Sequence, residues 1–266
     1  MRMMAAVLGV VALLANISAA IAADAKSELA PSGTMRVAIG VGPVSGPFYT
    51  TKDASGAYKG VTVELATALG QKLGVPIVFV PYLASGEIQN AANSGAWDVT
   101  FMPVDEERKK AVDFGNAYNL GQSTYLVAAA SPVRGVAEAN KVGFRIVGVK
   151  DTATIRASKQ ASPLATHIDA AGPEEAMAMI RTGRADAIAL GRESLIGVAA
   201  VLPNTRILND AFLNSKTAVA VPKGKPAALA YVRNFIEEAK RSGLVRAAFD
   251  RNGLQISTVA PAGAQP

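Results

Sequence analysis

Residues 94–118 read SGAWDVTFMPVDEERKKAVDFGNAY. Gly95 suits a helix stop, Asp98 opens the strand Val99-Thr100-Phe101-Met102, and Pro103, which has no N–H for a sheet ladder, ends it. Asp105 then suits the N-cap of a short helix carrying Arg108 in its first turn. An arginine there runs against the helix dipole, which favours acids at helix starts. A guanidinium beside unpaired backbone N–H groups suits an anion arriving from outside the chain. Two readings of Arg108 stand at this point: an anion clamp, or an ion pair with Asp105, Glu107 or Asp113 on a wetted face.

Working outward, the same device recurs. Thr182-Gly183-Arg-Ala-Asp186-Ala-Ile repeats the order helix, Gly stop, two residues, Asp, strand. Two similar βαβ units are what two lobes of like architecture would show. Before the first unit, Met35–Ile39 reads as a strand. A helix from Val61 has Leu65, Leu69 and Leu73 on one face and is closed by Gly74 and Pro76. Ile77–Val80 reads as a strand, and Ser85 as the cap of a helix over Glu87–Asn93. In the second unit Ser123–Ala129 and Arg145–Val149 are strands, and Lys150–Thr154 opens a helix to about Ala161. Pro173 starts the next helix at its favoured first position. Leu213–Lys216 is a return crossing into the strand Thr217–Val221. Two helices follow, one burying Leu229, Val232, Phe235, Ile236 and Ala239, the other over Leu244–Arg251. The lone Trp97 reads as core. Gly40-Val-Gly-Pro43 looks superficially like a phosphate loop, but Pro43 and Pro47 fall where a dinucleotide fingerprint needs a helix to begin.

Composition narrows the function. The chain has 266 residues, net charge +6, one His, one Trp and no Cys. Residues 1–23 carry Arg2, an apolar run from Ala5 to Ala15 and small residues before Ala23-Asp24, which reads as a cleavable export leader too short to anchor. Absence of Cys removes disulfides, a lipid anchor on a leader cysteine, thiol catalysis and thiolate metal sites. The expected location is therefore the periplasm, without a lipid anchor. Basic residues are scattered and not interleaved with aromatics, so nucleic acid is not an expected partner.

Taken in order, Gly60-Val-Thr-Val-Glu64-Leu-Ala, Leu73-Gly-Val, Ser94-Gly-Ala-Trp-Asp98-Val, Glu107-Arg108-Lys-Lys and Val112-Asp113-Phe-Gly115 with Tyr118 resemble the periplasmic solute-binding proteins of ABC importers, in the subfamily that includes binders of polar amino acids. The likeness runs from about Met35 to Leu254. It implies an α/β, two-lobed periplasmic-binding-protein fold of type II, each lobe a mostly parallel sheet flanked by helices, with two hinge crossings. Lobe 1 would comprise residues 34–120 and 216–255, and lobe 2 residues 121–215. The Ala/Pro/Gly-rich tail 256–266 is expected to be disordered. The resemblance also implies a monomer that needs no cofactor, binds a small-molecule ligand by hinge closure and docks on an inner-membrane ABC permease.

Carried over residue by residue, the likeness makes Arg108 the clamp for a ligand carboxylate, with Thr152, Ala153 and Thr154 as donors from the opposite lobe. Phe48 or Tyr49 would form an aromatic wall, and Ser85, Thr100, Phe101, Met102 and Pro103 would line the first-lobe side. Departures from the family pattern bear on the ligand. Pro103 and Phe101 stand where hydroxyl residues are usual, and Ser85 where an aromatic is usual. Gly191, followed by Arg192 and Glu193, stands where an acid normally binds an α-ammonium. Arg192 in place of that acid favours a second negative group, hence a small organic anion or atypical amino acid, unless Glu193 takes the acid's role. The alternatives are a standard polar amino-acid binder, a sensor module using the same clamp, and a dehydratase acting on prephenate or arogenate. For the last, Glu193 and Glu87 are the available acids. His167 stands alone and implies no metal or catalytic constellation.

Overall fold

Asp98 and Asp186, the two acids of the repeated device, each tie one strand start to another. Arg36 lays its guanidinium on Asp98, with Nε to Oδ2 2.9 Å and Nη2 to Oδ1 2.7 Å, while its backbone N–H donates to Oδ2 at 2.8 Å. Arg145 does the same to Asp186 at 3.0, 2.7 and 2.8 Å. Planar bidentate pairing of this kind fixes register as well as adding energy. It sits at the same place in both lobes.

The computed structural model describes residues 23–41, 46–255 and 257–266. The export-leader reading, apart from Ala23, and positions 42–45 of the glycine-proline loop lie outside the described residues. In chain order, β1 (Met35–Gly40), the short pair β2 (Thr51–Lys52) and β3 (Tyr58–Lys59), α1 (Val61–Leu73), β4 (Ile77–Tyr82), α2 (Ser85–Asn90), β5 (Val99–Pro103) and α3 (Glu106–Lys109) build the first half. The strand β6 (Val112–Ala128) then carries the chain across. It leads to a 3₁₀ turn (Val136–Ala139), β7 (Arg145–Val149), α4 (Ala153–Ala161), β8 (Thr166–Ala170), α5 (Pro173–Arg181), β9 (Ala187–Gly191), α6 (Arg192–Val201) and β10 (Thr205–Ile207). β11 (Leu213–Pro222) returns to the first half and is followed by α7 (Pro226–Arg241), α8 (Leu244–Arg251) and β12 (Thr258–Val259).

Strand order is β4-β1-β5-β11-β6-β9-β7-β8. The three strands at each end are parallel, and each trio meets its hinge strand antiparallel, β5 on β11 and β9 on β6. The hinge strands pair antiparallel with each other from Leu213–Ser123 to Pro222–Val112. This is the two-lobed periplasmic-binding-protein fold with two crossings. Parallel strands joined by helices are covered on both faces, and each lobe accordingly has two cores. In the first, Leu65, Leu69, Val232, Phe235 and Phe249 pack on one face of the sheet, and Ile88, Trp97, Met102 and Phe114 on the other. Trp97 is buried and donates its indole N–H to the Ile88 carbonyl at 3.0 Å.

Three expectations are corrected. The crossing and the strand after it are one 17-residue strand, β6, because the polar and glycine positions Asn119–Gln122 stay extended against β11 and β12. Helix α2 starts at Ser85 with Ala84 as N-cap and no side-chain cap bond, so the Ser85 hydroxyl is left for another use. The tail is ordered: β12 pairs with Leu120 and Asn119, and the Ala260 N–H donates to Tyr118 O at 3.0 Å.

Candidate functional site

The carboxyl ends of β1, β5, β7 and β9 converge on a cleft between the lobes, where ligands bind in open α/β sheets. Helix α3 delivers Arg108. Its N-cap Asp105 accepts from the Arg108 backbone N–H at 2.8 Å, which fixes the turn. The Arg108 side chain is buried; Nη1 donates to Pro103 O at 2.8 Å and Nη2 to Ser85 Oγ at 2.7 Å. It makes no ion pair among the described residues, so the wetted-face reading does not hold. The Nε–H has no partner, and each terminal nitrogen keeps a second hydrogen. Burial lowers its pKa to about 10, against the opposing pull of Asp105 and Tyr49, so it stays cationic at neutral pH.

Tyr49 stands next to this guanidinium. Gly60 packs so tightly under the Tyr49 carbonyl, at φ +132°, that any side chain there would strike it. Thr62 Oγ1 donates to the same carbonyl at 2.5 Å. Phe48 is turned into the core, its ring 11° from parallel to Tyr118 and 6.2 Å away. Of the two aromatics, Tyr49 presents the phenol. Burial raises its pKa, with Glu193 adding to the rise and Arg108 opposing it.

The second lobe contributes Glu193 from the first turn of α6. Its carboxyl faces the cleft and its pKa is raised by burial, only partly offset by its own backbone N–H and by Arg192. Among the described residues no side chain donates to it. Arg108 and Glu193 are the charged members of the described lining; the rest is apolar or neutral polar, including Leu83, Leu190, Leu213, Asn119, Ser194 and Ser215.

Of the residues expected at the site, Arg108, Phe48, Tyr49, Ser85, Phe101, Pro103, Thr152, Ala153, Thr154 and Gly191 line this cleft. Thr100 and Met102 do not. Side chains alternate along a strand, so these two face the opposite core, where Thr100 Oγ1 donates to Ala38 O at 3.0 Å. Arg192 is also corrected: it turns away and donates to Leu208 O (3.0 Å), Asn209 O (2.8 Å), Asp210 O (3.2 Å) and Gln122 Oε1 (3.2 Å). Thr152 lies at the cleft, but its hydroxyl caps α4 and donates to Val149 O at 2.8 Å, so its proton is already used. The first-turn amides of Ala153 and Thr154 have no intrahelical partner. Glu87 is a local brace, accepting from Leu83 N–H at 2.8 Å. His167 bonds Ser158 Oγ at 3.0 Å inside lobe 2. Asn119 was not anticipated. Its Oδ1 is buried without a partner, and being in the hinge strand it carries no motif that would mark it.

A family model for bacterial extracellular solute-binding proteins, family 3, matches residues 37–254. The chain belongs to that family. Within it, the chain is 26% identical over 164 residues to the ABC transporter glutamine-binding protein GlnH of Bacillus subtilis (strain 168), covering 62% of this chain and 57% of that one. It is 27% identical over 133 residues to the glutamine-binding protein of Geobacillus stearothermophilus, covering 50% and 48%. The matches thus span about half the length of these relatives. Among solved structures, the ancestral amino acid-binding protein AncCDT-1, described as a precursor of cyclohexadienyl dehydratase, superposes with TM-score 0.74 at 28% identity, over 85% of this chain and 97% of that one. This family 3 solute-binding protein has in its described residues no helix long and apolar enough to cross a membrane.

Proposed function

We propose that the protein is a periplasmic receptor that captures a zwitterionic amino acid between its lobes and hands it to an ABC permease in the inner membrane. One observation carries the reading: a guanidinium with spare donors on one lobe faces a carboxylate on the other to which no described side chain donates. A carboxylate would take the free Nε–H and a terminal N–H of Arg108, and the ligand's ammonium would lie on Glu193. Charge-assisted hydrogen bonds contribute roughly 1.5–3 kcal/mol each, so a few of them support micromolar binding, about 8 kcal/mol. The family relationship and the two glutamine-binding relatives support an amino acid. The case for a second negative group on the ligand rested on Arg192 facing the cleft, and that side chain is engaged elsewhere. Lobe 1 as residues 34–120 with 216–255, lobe 2 as 121–215, and β6 with β11 as the hinge are the working division for closure.

Isothermal titration with a panel of amino acids, acetate and succinate tests this. Amino acids should bind and the simple carboxylates should not. Arg108→Ala and Glu193→Gln should each weaken binding by about 100-fold. Binding of succinate with amino acids silent would overturn the proposal. Glu193, protonated more readily than an ordinary glutamate, is also the carboxyl of the described cleft lining that suits a dehydratase's proton donor. Consumption of prephenate or arogenate would favour that reading, and none is expected.

A further inference from the structure

The charge census of the cleft decides the kind of side chain the ligand carries. We infer that the ligand is an amino acid with an uncharged side chain, an inference that rests on the zwitterion reading above. The described lining holds one cationic and one anionic side chain, Arg108 and Glu193, and an α-carboxylate and α-ammonium use both. On the rim, Arg156 is paired across the gap with Asp105, and Lys150 and Asp151, which precede Thr152, lie outside the described lining. A lysine or arginine side chain would therefore enter without a carboxylate to meet it, and a glutamate or aspartate side chain without a cation. Desolvating an unpaired charge is among the costliest changes a binding site can impose.

The remaining contacts suit a neutral group. Leu83, Leu190 and Leu213 offer apolar surface, while Asn119 Oδ1 waits for a donor from the ligand. The cleft volume is ≈ 120 Å³, well above what a single water needs, which suits a small solute such as a free amino acid.

The test is titration calorimetry on the wild-type protein with L-alanine, L-serine, L-glutamine, L-arginine, L-lysine, L-glutamate and L-aspartate. The best neutral amino acid should bind more tightly than every charged one by at least about tenfold, a 1.4 kcal/mol difference. A charged amino acid within tenfold of the best neutral one overturns the inference while leaving the zwitterion reading intact. Silence of all seven overturns both. Asn119→Leu gives a second readout on the same panel: glutamine and serine should lose affinity relative to alanine, and an unchanged ratio overturns the role given to Asn119.

Discussion

Arg192 and Glu193 are adjacent on α6, yet one grips the 208–210 carbonyls outside the cleft and the other lines it. Successive helix residues point about 100° apart, since a turn takes 3.6 residues, so their roles depend on where β9 stops and the helix begins. Sequence spacing leaves that phase open, which is why Arg192 was expected in the cleft. Arg108 was legible as a cleft residue from an ordered set of neighbours, but its burial was not, because Ser85 lies 23 residues away. Glu193 also makes a pH prediction. Burial raises its folded pKa above the ordinary 4.5. In the ligand-free protein its contribution to stability is therefore largest below the unfolded value and is lost as pH rises through the folded one. Ligand affinity runs the other way, because the ammonium needs the carboxylate form. Affinity should be flat near neutral pH and begin to fall while the pH is still above 4.5, with protons released on binding. Calorimetry across pH checks this, with Glu193→Gln as the control that should be weak and pH-independent. A wild-type curve flat down to pH 4 would remove Glu193 from the binding reaction.

At the scale of elements, the two lobes meet through α2, α3 and α4. Asp105 bonds the Arg108 backbone N–H with one oxygen and pairs with Arg156 of the other lobe through the second, so the turn that carries Arg108 and the interlobe ion pair share one carboxylate. Beside it, Gly86 approaches the turn before α4 so closely that a Cβ would lie 2.7 Å from Asp151 Cβ, and Asp151 itself holds φ +59°. These contacts join the two lobes directly. Arg156→Gln removes the pair without touching the clamp, and should weaken ligand affinity about fivefold, roughly 1 kcal/mol taken from the closed state. X-ray scattering should report a more open protein at subsaturating ligand, and the wild-type advantage should shrink at 1 M salt. Equal affinities at low salt would show that the pair does not bias closure. The helices and strands around these contacts were largely readable, since Gly stops and apolar periodicity mark them. The bridging partners were not, because Arg36 and Asp98, Arg145 and Asp186, and Asp105 and Arg156 lie 62, 41 and 51 residues apart.

Across the whole molecule, the tail joins the hinge. Residues 257–266 run along β6 where it passes from one lobe to the other: Thr258 and Val259 pair with Leu120 and Asn119, and the Ala117 N–H donates to Ala264 O at 2.9 Å. Lys216 on the other hinge strand reaches Gln265 O at 2.8 Å, and Lys240 of α7 reaches Pro261 O at 2.9 Å. The Gly263 N–H closes the set on Glu237 at 3.0 Å. Nearly all of these bonds use tail backbone, which explains why an Ala/Pro/Gly composition suggested disorder: no side-chain pattern announces them. The tail acts as a third strand at the crossing, and it backs Asn119, which lines the cleft. Deleting residues 257–266 should therefore lower Tm. At about 1 kcal/mol net per hydrogen bond, with entropy returned to the freed chain offsetting part of the loss, we expect a cost of about 2 kcal/mol, roughly 4–8 °C for a protein of this size. Amide exchange at Ala117 should accelerate in the truncated protein while that of Val147 and Ile188, in the sheet of lobe 2, stays as it was. If Tm and Ala117 exchange are both unchanged, the strand seen at β12 contributes nothing to the hinge in solution.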